Sequence, residues 1–237
     1  MNDDIMLLCN SIVYEYRMVC GSTEIAEARL QLPNLEMMIQ KLSSFPSNSW
    51  LTQCLRPQNS VIFLNTDTMK IPDTLANDPN HTTNITSGFN ASEVNIVQTL
   101  VRCFIDCGID EQDIGVISPF RAQVEALQLA LKAIASNKPK TLSQGLMRDN
   151  SNFGCDISTV DKFQGRDKDV IVLSTVRCIN DRSVGDLLRD WRRVNVALTR
   201  SRKKLIIVGS LQIMDRIPVL SKLGKLLIEK DWVINMA

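Results

Sequence analysis

The stretch V-D-K-F-Q-G-R-D-K-D-V-I-V-L-S-T-V, Val160 to Val176, sets a charged, glycine-bearing turn against an unbroken apolar run. Val170 to Val176 reads as a buried strand, and the same pattern recurs on both sides of it. Ile157 to Val160 comes just before, Leu205 to Val208 after, and Val61 to Leu64 and Ile114 to Ile117 lie upstream. Each is a short apolar run bounded by polar turn residues. Between them, Ser92 to Cys107 places Val94, Val97, Leu100, Val101, Phe104 and Ile105 at helical spacing, with Ser92 and Glu93 as capping candidates. Ala122 to Ala135 is again helical. Strands alternating with helices predict an α/β fold with a mainly parallel sheet and helices on both faces.

The flanks are less regular. Met1 to Leu42 carries Ile5, Met6, Leu8, Cys9, Ile12 and Val13 at three- and four-residue spacing, a helical pattern, whereas Ser43 to Ser60 is rich in Pro, Ser and Asn and reads as a loop or linker. The expected division is a helical lead-in with its linker over 1–60 and the α/β domain over 61–237, interrupted by mobile loops at about 73–91 and 137–154.

With 44% hydrophobic residues, the 237-residue chain can bury roughly 70 to 75% of its extended surface, enough for one or two cores. Lys plus Arg (27) nearly cancels Asp plus Glu (26), so no global charge draws it to nucleic acid or to a membrane surface. Polyanion binding therefore needs local clusters. The clearest is Arg189, Arg192, Arg193, Arg200, Arg202, Lys203 and Lys204, with Lys162, Arg166, Lys168 and Arg177 upstream. Seven scattered cysteines without a C-x-x-C pair read as reduced thiols of a cytosolic or nuclear protein. Cys103 and Cys107, four apart on a helix, suit either a shared metal or a core face. With His81 the only histidine, no second ligand pair exists and no metal site is assigned. No stretch approaches eighteen apolar residues and no signal-peptide layout opens the chain, so neither a membrane span nor export is indicated.

In open parallel sheets, ligands sit at the carboxyl ends of strands, where Ile157 to Val160 would deliver Asp161 to Lys168. There Gly165 lets backbone approach a ligand, Gln164 donates and accepts, and Asp167 takes a hydroxyl or orients a cation. The plain alternative is a charged turn. In R-V-N-V-A-L-T-R-S-R, Arg193 to Arg202, the apolar Val194, Val196 and Leu198 leave Arg193, Arg200 and Arg202 around one end. A guanidinium there suits a departing γ-phosphoryl group, or else an ion pair with Asp161, Asp167 or Asp169. No G-x-x-x-x-G-K-[ST] loop occurs, so these residues make at most half of a nucleotide site.

Together, in this order and separation, the two motifs resemble motifs V and VI of superfamily 1B helicases, five-prime to three-prime motors with two RecA-like domains. S-P-F-R-A-Q, Ser118 to Gln123, resembles the nucleic-acid-contacting motif of the second of those domains. The tract from Asp161 to Trp191, with V-G-D-L-L-R-D-W-R-R at Val184 to Arg193, is most similar to the eukaryotic replication helicase/nucleases that process Okazaki-fragment flaps. The resemblance implies a RecA-like P-loop NTPase fold, with Arg200 as arginine finger. Gln164, Gly165 and Asp167 would lie at the nucleotide, and Ser118, Pro119, Phe120, Thr159 and Arg177 toward the single strand. For the family's Q-Y-R-M motif there are two placements. One is E-Y-R-M at Glu15 to Met18; the better alignment takes Met1-Asn2, Ile5-Met6, Asn10 and Tyr14 as its continuation, with the arginine before the chain begins.

That alignment implies a truncated start. ATP and Mg²⁺ would be shared with an upstream RecA-like domain of the same parent, and an iron-sulfur cluster would belong to an upstream nuclease domain. The implied partners are single-stranded or flap DNA, the implied location nuclear, with mitochondrial or cytoplasmic placement open. The alternatives are a superfamily 1B RNA helicase domain, a catalytically silent nucleic-acid-binding short form, and a partial gene model.

Overall fold

A computed structural model describes residues 1–44, 49–69, 89–136, 154–176 and 190–236. The two long loops read from the sequence lie outside these, apart from residues 89–91 and 154, as do His81, Arg177, Cys178 and Arg189. The described strands are β1 (Val61–Asn65), β2 (Ile114–Ser118), β3 (Asp156–Thr159), β4 (Lys168–Ser174), β5 (Ser201–Gly209) and β6 (Val233–Asn235). They form one sheet in the order β3-β2-β4-β5-β1-β6, with every neighbouring pair parallel. The described α-helices are α1 (Asp3–Cys9), α2 (Thr23–Ala26), α3 (Leu35–Ser43), α4 (Ser49–Leu55), α5 (Ala91–Asp106), α6 (Arg121–Ser136), α7 (Trp191–Leu198), α8 (Leu211–Asp215) and α9 (Pro218–Glu229).

The uninterrupted apolar runs follow from the pleat, because successive side chains point to opposite faces and both faces are covered. Ile62, Leu64, Val116, Val172, Ile206 and Val208 pack under α3, α4, α5 and α6. Val61, Phe63, Ile117, Ile171, Leu173, Leu205 and Ile207 pack under α1, α7, α8 and α9. Helix α5 shows the cause of one such face: Val94, Val97, Leu100, Val101 and Phe104 repeat at helical spacing and are buried. Each contributes roughly 1.5 to 3 kcal/mol by leaving water.

Residues 1–55 supply both layers, α1 to one and α3 and α4 to the other. Asn2 is fully buried. Its carbonyl oxygen caps α1 by accepting from the Ile5 N–H (3.2 Å), while its amide donates to Ser60 Oγ (2.6 Å) and Ala28 O (3.2 Å). Its own N–H donates to Arg202 O on β5 (2.9 Å). Within Ser43 to Ser60, read as loop or linker, α4 buries Leu51, Cys54 and Leu55 on one side, which the Pro and Ser around it concealed. Strand β6, also unanticipated, is three residues long and defined by its register on β1.

Candidate functional site

The return of the chain from β3 to β4 decides where the charged turn lies. Thr159, the last residue of β3, pairs with Ser118, the last of β2. Lys168, the first of β4, lies two residues before Val170, the partner of Ile114 at the start of β2. Residues 160–167 therefore run back across the sheet from its carboxyl edge to its amino edge. Phe163 holds the crossing, buried directly over Gly115, where an added Cβ would come within 2.5 Å of the Phe163 ring. The expectation that the whole turn gathers at the carboxyl edge is corrected: Asp161 lies near that end, and Asp167 lies at the other.

At the amino edge, Asp167 meets Arg200. Lys168 pairs with Ser201, the first residue of β5, and the Lys168 N–H donates to Arg200 O (2.9 Å). The Arg200 guanidinium donates from Nη1 to Asp167 Oδ1 (2.8 Å), from Nε to Val196 O (3.2 Å) and from Nη2 to Thr199 Oγ1 (3.2 Å). These bonds engage one donor on each nitrogen of a group that carries five. The arginine side chain is 20% exposed and Asp167 45%. Gln164 and Gly165 are exposed, and Gly165 has φ +80° with open space around its α-carbon. Only a residue without Cβ takes that conformation freely, and it leaves backbone open to a ligand. Three of the four residues assigned to the nucleotide thus lie in one exposed turn, and the fourth is tied to it.

Ser118, Pro119, Phe120 and Thr159 gather instead at the carboxyl edge of β2 and β3. A span like that of β4 separates the two edges by about 20 Å. Ser118 and Pro119 are buried, so they shape the edge, while Phe120 and Thr159 are half-buried and reachable. The cavity beneath, lined in part by Pro119, Val160, Thr175 and Arg193, is about 30 Å³. Arg177 lies outside the described residues.

The basic cluster read from the sequence is largely paired. Arg193 meets Asp161 (3.1 Å), Lys203 meets Asp169 (2.8 Å), and Lys168 and Arg166 share Asp156 (2.7 and 3.4 Å). Lys204 is fully buried, donating to Arg56 O (2.8 Å) and Asn59 O (2.6 Å) just beyond α4, and burial pulls its pKa down to about 8. Arg17 of E-Y-R-M is 79% exposed and pairs with its neighbour Glu15. Cys103 and Cys107 both lie in the core on one side of α5, where burial pushes their thiols up to about 11 and about 12.

Sequence reasoning missed the role of Glu93. Asn90 caps α5, accepting from the Glu93 N–H (3.1 Å), and Glu93 itself is fully buried with its carboxylate against the end of β4. Its position three residues after a capping Asn was the available signal, and it pointed to a surface role.

A six-stranded sheet whose described pairs are all parallel, clad by helices on both faces, is the architecture of the RecA-like P-loop NTPase fold. The chain belongs to the AAA-domain family, whose model matches residues 1–212, and is homologous along its length to DNA replication ATP-dependent helicase/nucleases. It is 38% identical over 239 residues to DNA2 of Mus musculus, covering 100% of this chain and 20% of that protein. Identity to the Schizosaccharomyces pombe dna2 protein is 35% (100% of this chain, 15% of that one), and to JHS1 of Arabidopsis thaliana 35% (98% and 15%). The chain thus spans a fifth or less of these relatives. A solved C-terminal domain of a possible DNA helicase from Lactobacillus plantarum WCFS1 is 12% identical with a TM-score of 0.36, over 66% of this chain and 95% of that one. The resemblance read from the motifs is borne out by the homology.

Proposed function

We propose that these residues form the C-terminal motor domain of an ATP-dependent five-prime to three-prime DNA helicase/nuclease of replication and repair, supplying the arginine finger and part of the single-strand path. The observation that carries this reading is the anchoring of Arg200 beside the Gln164–Asp167 turn, which offers a fixed cation and an open backbone to one phosphate group. ATP supplies the transferable phosphoryl group. Arg200 would balance charge on it, Gly165 would let backbone N–H groups approach it, and Asp167 would hold the guanidinium until a phosphate replaces it. We assign the phosphate loop, the Mg²⁺ ligands and an iron-sulfur nuclease domain to other parts of the same protein, because the relatives are five or more times longer. At the opposite edge, Phe120 offers a ring for base stacking and Thr159 a hydroxyl for the backbone. Arg177 is assigned to the same single strand from the sequence alone. The location that fits this work is the nucleus.

The test is ATP hydrolysis by the native protein with single-stranded DNA, with RNA of the same length, and with neither. Stimulation by DNA alone is expected. Equal stimulation by RNA would favour the RNA helicase reading, and binding without hydrolysis would leave a silent nucleic-acid-binding module.

A further inference from the structure

We propose that Glu93 is a positioning residue for nucleic-acid binding: its buried carboxylate sets the turn by which the chain leaves β4 and locks that turn to the S-P-F-R-A-Q segment. The proposal rests on the reading of the carboxyl edge as the nucleic-acid face.

Four polar residues close a ring of hydrogen bonds there. Glu93 Oε2 accepts from Ser174 Oγ (2.8 Å), and Ser174 Oγ accepts from Gln123 Nε2 (3.0 Å). Gln123 Oε1 accepts from the Asn90 N–H (2.8 Å), and Asn90 Oδ1 accepts from the Glu93 N–H (3.1 Å). Glu93, Gln123 and Ser174 are fully buried. Each comes from a different element: Glu93 from the first turn of α5, Gln123 from the first turn of α6, three residues after Phe120, and Ser174 from the end of β4. Such a ring makes the loops after β2 and β4 one unit.

The same Glu93 oxygen accepts from the Val176 N–H (3.0 Å). Val176 is buried with φ +60°, a left-handed conformation that a β-branched residue resists. Backbone of that kind persists only where its surroundings impose it, and it gathers at sites that bind or react. A carboxylate is an expensive choice for a buried position that serves packing alone. Here it grips the strained residue directly, and through Ser174 and Gln123 it holds the segment that carries Phe120.

The experiment measures the affinity of the native protein for a fluorescein-labelled oligothymidylate by anisotropy, beside its thermal melting. Glu93→Ala is expected to weaken binding about tenfold, since it releases a residue held in a disfavoured conformation. Glu93→Gln, whose amide oxygen still accepts from Val176 N–H, should stay within about threefold of the parent. Adding Val176→Gly to Glu93→Ala should recover most of the affinity, because glycine takes positive φ without a clamp. A merely structural carboxylate predicts the opposite, since the glycine removes further core contacts. Unchanged affinity in Glu93→Ala, or a double variant no better than the single, overturns the proposal. Should Glu93→Ala not fold, Ser174→Ala with and without Val176→Gly carries the same comparison, and unaltered affinity there overturns it equally. Phe120→Ala separates the two levels: if it leaves binding untouched, the edge is not a nucleic-acid face and both readings fall. If it weakens binding while Glu93→Ala does not, only the positioning role falls.

Discussion

Arg200→Ala separates the two meanings of the Arg200–Asp167 pair by size of effect. As a structural ion pair it is modest: Asp167 is 45% exposed, and partly exposed pairs contribute about 0.2 to 1 kcal/mol. The bonds to Val196 O and Thr199 Oγ1 add about 0.5 to 1.5 kcal/mol each at most. Losing all three lowers stability by a few kcal/mol and, in a protein that stays folded, leaves turnover within severalfold of normal. As an arginine finger the same side chain acts on the transition state, where such groups contribute about 10³ to 10⁵ in rate. That is about 4 to 7 kcal/mol of barrier. Steady-state ATP turnover of the native protein, at saturating ATP and single-stranded DNA, is therefore expected to fall at least about a thousandfold in Arg200→Ala, with nucleotide affinity little changed. Asp167→Ala leaves the Val196 and Thr199 contacts in place and should cost only about tenfold, the scale of one lost orienting contact. Turnover of Arg200→Ala within fivefold of the parent in a folded protein would refute the reasoning, and Arg200 would then be no more than the partner of Asp167.

Two further expectations concern the fold that carries these edges. Burial holds Lys204 at about 8 rather than the ordinary 10.5, so the unfolded chain binds more protons between those values. The cost is fully present below pH 8 and is relieved as pH rises to 10.5, an integrated change of roughly 3 kcal/mol. Urea unfolding of the parent and of Lys204→Met across this window should give a difference that grows in the parent's favour with pH; a flat difference would rule the lysine out. Gly115→Ala places a Cβ 2.5 Å from the Phe163 ring and 2.6 Å from Ile171 Cδ1, and overpacking of this kind costs about 1 to 3 kcal/mol. A lowered urea midpoint together with reduced ATP turnover is expected, because Phe163 holds the turn beside Arg200; an unchanged midpoint would show that the crossing yields.

The apolar runs made the sheet legible because β1, β2, β4 and β5 are buried on both faces over most of their length, so burial is written into consecutive residues; β3, at the sheet's edge, is only half-buried. The spacing in α5 did the same for one helical layer. The position of the charged turn was hidden. Eight residues between β3 and β4 look like a simple turn, and only the pairing of Thr159 with Ser118 and Lys168 with Ser201 shows that they cross the sheet. Gly115 and Phe163 were the available sign of a crossing, but they are 48 positions apart. The basic cluster misled for a related reason. Lysines and arginines near one another in sequence met Asp156, Asp161, Asp167 and Asp169 in space, and those aspartates stand among them in the same stretch. Asn2, Glu93 and Lys204 lie inside because each has backbone or hydroxyl partners brought by distant segments, and such partnerships leave no local pattern.

The separation of the two edges constrains how nucleotide and nucleic acid communicate on the proposed reading. Between them stand β4 and β5, in register from Ile171 with Leu205 to Ser174 with Val208, with a single irregularity near Lys168. Both faces of these strands are packed, and close-packed cores transmit displacement instead of absorbing it. A change at Arg200 then reaches Ser174 and Phe120 as movement of the whole domain, not as an internal rearrangement. The parts able to act independently are those at the strand ends: the Gln164–Asp167 turn, held by Phe163 over Gly115, and the Val176 turn, held by Glu93. Substitutions that preserve packing in mid-strand should leave both functions joined, while Gly115 and Glu93 each govern one edge. Loss of nucleotide turnover without loss of DNA affinity from one, and the reverse from the other, is what distinguishes a rigid motor domain from one that flexes between its sites.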